Sequence, residues 1–236
     1  MRKIQRLAAV GAMTVVAAMV GACSSSSQEP ATERQASAPA SAAATVGAES
    51  AAPTSSGVTK ISDIFGPACD RMPKEGAGSP QGMVSESVAT AASHNPLLSS
   101  PDPGAATLVK AMMAANLVDI LNDARSLTVF APYNPAFQAL EAQHPGTFKD
   151  LTTVSDVTSP NSRLAKILTY HMVGQRYDAA GMVAAGTLDT LEGAKIKIGG
   201  TATAPTVNGA PVLCGNIPTK NATVFVIGQV LSLPTT

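Results

Sequence analysis

Residues 24–57 cannot build a core, and that decides how much of the chain is left to fold. Of these 34 residues, 25 are Ala, Ser, Thr or Pro, and Val46 is the only sizeable aliphatic side chain. So little apolar surface does not offset the entropy of ordering the chain, and a disordered tether is expected. As a flexible chain it spans about 30–35 Å on average. Fully extended it reaches roughly 115 Å. Thr32, Thr45 and Thr54, each close to Pro or Ala, are its candidate O-glycosylation sites. Residues 58–236 remain, enough for one domain with a core of its own.

The tether follows a second non-domain segment. Met1–Arg6 is short and basic, and Leu7–Val20 is an apolar run of 14 residues. That run is short for a membrane span and suits the core of a signal peptide. It ends in Val20-Gly21-Ala22-Cys23, which resembles a bacterial lipoprotein signal: an aliphatic residue, two small residues, then Cys. The expectation is a signal peptide over 1–22 and a lipidated Cys23 at the head of a tether over 23–57. Two or more acyl chains (palmitate among them), at about 0.8 kcal/mol per buried methylene, hold a protein stably on a membrane. The protein is then expected on the extracytoplasmic face, with a fraction shed to the exterior. Setting aside Arg2, Lys3 and Arg6 leaves 13 positive against 16 negative charges, and with no basic run among them a nucleic-acid footprint is excluded. A single long apolar stretch excludes a multi-pass membrane protein.

Helix and strand signals begin at Val58. Leu108, Met112, Ala115, Val118 and Leu121 share one stripe, which predicts a helix over 107–121. Leu127–Ala131 reads as a strand, broken by Pro132-Tyr133-Asn134-Pro135. Asn134 is placed to cap the next helix, with Pro135 at its first position. Asn161 or Ser162 starts another, with Leu164, Ile167, Leu168 and His171 on one face, and Asp178 caps a short helix through Val183. After Gly186 the period changes. Strands are predicted on either side of Glu192-Gly193 and of Asn208-Gly209, the latter a strong type I′ hairpin signal. Thr223–Leu233 reads as a long closing strand. Helices first and strands later argue an α+β fold in one domain.

With Cys23 acylated, Cys69 and Cys214 remain as an even pair in an exported chain, 145 positions apart. A disulfide is the expected use, with two free thiols and a zinc site as alternatives. No Cys-x-x-Cys and no His at ligand spacing support the metal, so none is expected. The signatures of hydrolases, metalloproteases and nucleotide-binding loops are absent. Gly76–Gly82 imitates a dinucleotide loop, but Pro80 interrupts it, and it reads as a surface loop. His94 and His144 sit beside loop-forming residues and are expected to be exposed. Asp119, Asn122 and Asp123 supply two carboxylates where calcium wants six or more oxygens, so they read as a solvated helix end.

Three segments then point one way. Thr128-Val-Phe-Ala-Pro-Tyr-Asn-Pro-Ala-Phe137 resembles the first hallmark motif of fasciclin domains. Leu168-Thr-Tyr-His171-Met-Val173 is similar to that family's Tyr-His motif, and Asn221–Ile227 with Val230, Leu231 and Pro234 to its second hallmark. The order and spacing agree, over roughly Val58 to Pro234. The Cys pair and the lipoprotein start further resemble the secreted and surface antigens of high-GC Gram-positive bacteria. Tyr133 and Gly228 depart from the usual Thr and Asp; the second change removes an acid implicated in adhesion by some animal members.

The resemblance implies a β-wedge or sandwich with helices packed at one end. It also implies a non-catalytic role in adhesion or in binding a host or cell-envelope partner, without a cofactor. It offers Tyr170 and His171 as partner contacts. The local pattern instead turns His171 inward, with the Tyr170 ring packed and its hydroxyl near the surface. Asn221-Ala222-Thr223 is formally a glycosylation sequon and reads as turn chemistry. The alternative function is a carrier or sensor for a small apolar ligand, with Met112, Met113, Met172 and Met182 lining an adaptable pocket. A cavity of several hundred Å3 between helices and sheet distinguishes that case.

Overall fold

The two central strands of the sheet are far apart in sequence and run parallel. β1 (Leu127–Pro132) lies beside β7 (Ala222–Ile227), Leu127 against Ala222 and Pro132 against Ile227. This computed structural model describes residues 57–234 except Pro103, Val154 and Asp156. The signal peptide, Cys23 and the tether with Thr32, Thr45 and Thr54 lie outside the described residues.

The other strands are β2 (Met172–Val173), β3 (Thr187–Asp189), β4 (Lys195–Thr201), β5 (Ala204–Val207) and β6 (Ala210–Pro218). All pair antiparallel, in the order β2-β1-β7-β6-β5-β4-β3. Past β3 the chain bends back, and the Leu191 N–H donates to the Met172 carbonyl at 2.8 Å. The two outer strands therefore meet, and the sheet curls almost into a barrel. Eight α-helices accompany it among the described residues. α1 (Pro80–Ser85), α2 (Val88–His94), α3 (Leu108–Ala114) and α4 (Val118–Asp123) precede β1. α5 (Asn134–Gln143), α6 (Thr147–Thr153) and α7 (Arg163–Tyr170) lie between β1 and β2, and α8 (Ala179–Ala185) follows β2. The fold is α+β, a β-wedge with helices packed against it.

Alternation along β1 and β7 sends side chains to two separate cores. Val129, Ala131, Val224 and Val226 face the helices, where Met83, Ala91, Leu98, Leu108, Met112 and Leu164 meet them. Phe130, Phe225 and Ile227 face the inside of the curled sheet, with Val207, Ile196, Leu188 and Met182. The two Phe rings lie 5.9 Å apart. The segment before α1 is strapped onto β6. Phe65 and Gly215 exchange backbone hydrogen bonds, and Cys69 and Cys214 are joined, with Cα atoms 5.1 Å apart. Gly215 is needed there, because a Cβ would come within 2.5 Å of the Phe65 ring.

Several elements follow the sequence reading. Ser162 caps α7 by accepting from the Ala165 N–H at 3.1 Å, and Asp178 caps α8 by accepting from Gly181. Asn208 and Gly209 both take positive φ, 49° and 84°, as a type I′ turn requires. Others differ. The helix expected over 107–121 is two helices, broken where Asn116 adopts φ 54°. The loop read at Gly76–Gly82 runs into α1, which Ser79 caps and Pro80 starts. The closing strand stops at Ile227, short of the expected Leu233, and one further bond, from the Gly228 N–H to the Pro211 carbonyl of β6 at 3.0 Å, follows it. Asn134 is the first residue of α5 and does not cap it. Its Nδ2 donates to the Pro96 and Ser99 carbonyls, pinning the loop before α3.

Candidate functional site

Tyr170 and His171 end α7 at the seam between the two cores, and each is only 2% exposed. The His171 Nδ1 donates to the Ile167 carbonyl at 2.8 Å, and Nε2 accepts from the Leu231 N–H at 2.9 Å. Both ring nitrogens are thus used, one as donor and one as acceptor, which fixes a neutral tautomer. Burial lowers the His171 pKa to about 4, the hydrogen bond to Ile167 opposing the shift. The inward turn expected of this ring is what the structure has. Tyr170 differs from expectation: its hydroxyl is buried too. It accepts from Asn208 Nδ2 at 2.8 Å and donates to the Lys195 carbonyl at 3.3 Å, stitching α7 to the β4 and β5–β6 region. Neither ring is presented to solvent.

The hallmark residues form a second polar cluster, at the end of the sheet where β1 and β7 begin. Thr128 donates its hydroxyl to the Gln175 carbonyl at 2.7 Å and accepts from the Tyr177 N–H. Thr223 donates to the Gly57 carbonyl at 2.6 Å and accepts from Arg176 Nε at 3.1 Å. The Arg176 guanidinium also donates to the carbonyls of Thr219 and Ala222. Its pKa is lowered by burial, which withdraws water from the charged group. Asn221 is 6% exposed. Its Oδ1 accepts from the Val88 N–H at 2.9 Å, while Nδ2 donates to the Leu121 and Ala124 carbonyls, each at 2.8 Å. One side chain thus fastens the start of α2 and the end of α4 to the start of β7. Arg176 was not singled out from sequence, and no local pattern marks it. Its partners lie 43–47 residues away.

The remaining candidates are dispersed. His94 is exposed and pairs with Glu86 at 2.9 Å; His144 is exposed. Asn122 spends its amide on Thr90, donating to its hydroxyl at 3.2 Å and accepting from its N–H. Among the described residues no group of three or more His, Cys, Asp or Glu is arranged to hold a metal. Met112, Met172 and Met182 are core residues, and Met113 is exposed. Two apolar cavities lie on the helical side of the sheet. One, of about 10 Å3, is lined by Met83, Leu98 and Met112 among others. The other, of about 40 Å3, lies between α3, α5, α6 and α7, with His171 its only polar neighbour. Neither approaches the 300–1,000 Å3 or so of a preformed small-molecule pocket.

Comparison with known proteins identifies the family. The family model described as Fasciclin domain matches residues 103–234. The chain belongs to the fasciclin domain family. Its relatives within that family include the immunogenic protein MPB70 of Mycobacterium bovis, 38% identical over 180 residues, 73% of this chain and 83% of that one. The cell surface glycolipoprotein MPB83 of the same species is 36% identical over 180 residues, 73% of each chain. Among solved structures, a FAS1 domain pair from the insect cell adhesion molecule Fasciclin I superposes with a TM-score of 0.52 at 19% identity. That match covers 64% of this chain and 52% of the solved one, so the fasciclin domain here spans about half of that pair. No helix among the described residues is long and apolar enough to cross a membrane.

Proposed function

We propose that the chain is a non-catalytic, lipid-anchored surface protein that presents its fasciclin domain for adhesion to a host or cell-envelope partner. The observation that carries the reading is how the first described residue is fixed. Gly57 is held by the Thr223 hydroxyl at the end of the sheet where β1 and β7 start. A Cβ at Gly57, whose φ is +65°, would strike the Arg176 carbonyl, so this anchorage is specific. A tether of the kind expected from the sequence would join the domain at this pole. The other pole, where β1 runs into α5, lies about 17 Å further along the strands.

Two further points support the reading. The relatives named above include a surface glycolipoprotein, which matches the Val-Gly-Ala-Cys23 start and the Ala/Ser/Pro/Thr tether. The polar atoms of Tyr170 and His171, the residues that the resemblance offered as partner contacts, are spent on the fold, which leaves neither for chemistry and puts any adhesive surface elsewhere on the domain. The apolar-carrier alternative as first framed loses support, since the larger cavity is about 40 Å3.

The test has two arms. Membrane fractionation of cells expressing the full chain and its Cys23→Ala variant should find the variant released and folded. Cross-linking on intact cells should then capture a partner with the anchored domain. A Cys23→Ala protein that stays fully with the membrane overturns the anchor. An anchored domain that cross-links to nothing on cells or envelope overturns adhesion.

A further inference from the structure

The larger cavity is lined almost wholly by hydrocarbon and roofed by a helix with no fully buried side chain. We infer that it is the closed form of a binding site for a single-chain anionic amphiphile, such as a free fatty acid, with α6 as its movable cover. Its lining is hydrocarbon apart from His171, and both His171 nitrogens are already bonded, so nothing inside solvates a polar ligand. An apolar space of this kind stays dry and takes up apolar molecules.

The cover is α6. It contributes Phe148 and Leu151 to the cavity, yet none of its side chains is fully buried. Its hold on the domain is narrow. The Glu141 carboxylate at the end of α5 accepts from the N–H groups of Gly146 and Phe148, and Phe148 meets Phe137 edge-on at 5.8 Å. In the closed form about 40 Å3 is open. A cavity that admits a small ring is of order 150 Å3. A chain therefore enters only as Phe148 and Leu151 move out, and of the four helices that line the cavity α6 has the least burial to lose.

The charge around the cover sets the class of head group. Lys149 on α6 and Arg163 and Lys166 on α7 flank lining residues Phe148, Leu164 and Ile167. All three are exposed, and none forms an ion pair among the described residues. Asp150 is the one acid within these two helices. An alkyl chain in the cavity thus leaves its carboxylate beside basic groups at the surface.

The test uses the soluble domain with its tether, titrated with dodecanoate and separately with 1-octanol, both below their aggregation limits, by isothermal titration calorimetry. The expected result is saturable one-to-one binding of both. Ala111→Val, which fills the cavity from α3, should weaken both by about tenfold or more while melting at or above the parent temperature. Arg163→Ser with Lys166→Ser should weaken dodecanoate and leave octanol unchanged. If Ala111→Val melts lower, Leu151→Phe, filling the same space from α6, serves in its place. Absence of saturable binding to either probe, or binding indifferent to both filling variants, overturns the site. Equal weakening of the two probes by the charge variants overturns the anionic head group.

Discussion

The two faces of one sheet are packed by different means. Inside the curl, aromatic and branched side chains from strands (Phe130, Phe225, Ile196, Val207, Ile227) fill the space between walls that are hydrogen-bonded to each other. On the other face, short helices bring Ala89, Ala91, Ala92, Ala111 and Ala115 together with Met83 and Met112. Both cavities described above are on that helical face. The contrast has a geometric cause. A sheet curled almost into a barrel sets its walls by backbone pairing, so side-chain volume must match a nearly fixed space. Short helices can shift against a sheet, and alanines allow close approach without filling every gap. The first face should be intolerant of change, and the second adaptable.

The largest effect that would sharpen this contrast is expected at Phe225. Phe225→Ala should cost about 3–5 kcal/mol by removing a fully buried ring from walls that cannot close on the void. Chemical denaturation measures it. A cost no greater than that of Met112→Ala on the helical face would break the comparison.

Next in size is the Cys69–Cys214 bridge, which joins the strap before α1 to β6 at the edge of the helical core. Opening it should cost about 2–4 kcal/mol, less than the roughly 5 kcal/mol of chain entropy for a loop this long. Melting with and without reductant reads the difference, and peptide mapping without reductant should recover the linked fragment.

His171, at the seam, makes stability depend on pH. With a folded pKa of about 4 against 6.5, the unfolded chain binds the proton first on acidification. Stability from this group is therefore complete above pH 6.5, falls as pH drops from 6.5 to 4, and changes no further below. At about 1.4 kcal/mol per pKa unit the loss is up to about 3 kcal/mol. Denaturation curves across that window should show the slope, and His171→Gln should flatten it. The same variant also probes adhesion: unchanged melting with abolished binding would make His171 a contact.

The smallest effect is at Tyr170. Tyr170→Phe keeps the ring in the sheet core and leaves the Asn208 amide without its acceptor, for a loss of about 1 kcal/mol. Amide exchange at the Asn208-Gly209 turn should quicken more than exchange in α3 or α4. Equal quickening in both would mean that the two faces are mechanically one.

What was legible in the sequence follows the same division. Turns that need positive φ announce themselves chemically, so Asn208-Gly209 and its flanking strands were readable. Side-chain caps such as Ser162 and Asp178 were readable for a related reason, because their bonds reach only three residues. The break at Asn116 was not, since the apolar stripe continues through it with neither Gly nor Pro to mark a stop. Asn134 was misread because its partners, Pro96 and Ser99, lie more than thirty residues away. The parallel pairing of β1 with β7 and the meeting of Leu191 with Met172 depend on the whole fold and leave no local periodicity. At the site, the inward turn of His171 could be read from the α7 face. The buried hydroxyl of Tyr170 and the role of Arg176 depend on residues brought in by β4, β5, β6 and β7.

Asn221 carries a consequence for how this protein is made. Its Nδ2 is the atom that oligosaccharyl transferase modifies, and Asn221-Ala222-Thr223 satisfies that enzyme's sequence rule. In a eukaryotic secretory pathway the sugar is added to the nascent chain, before the fold can hide the amide. The glycan would then occupy a position that must lie against the carbonyls of Leu121 and Ala124. Material from such a host should be trapped misfolded or retained, whereas a bacterial host that does not modify the sequon delivers the native form. Antibodies raised against the former would recognise a different molecule.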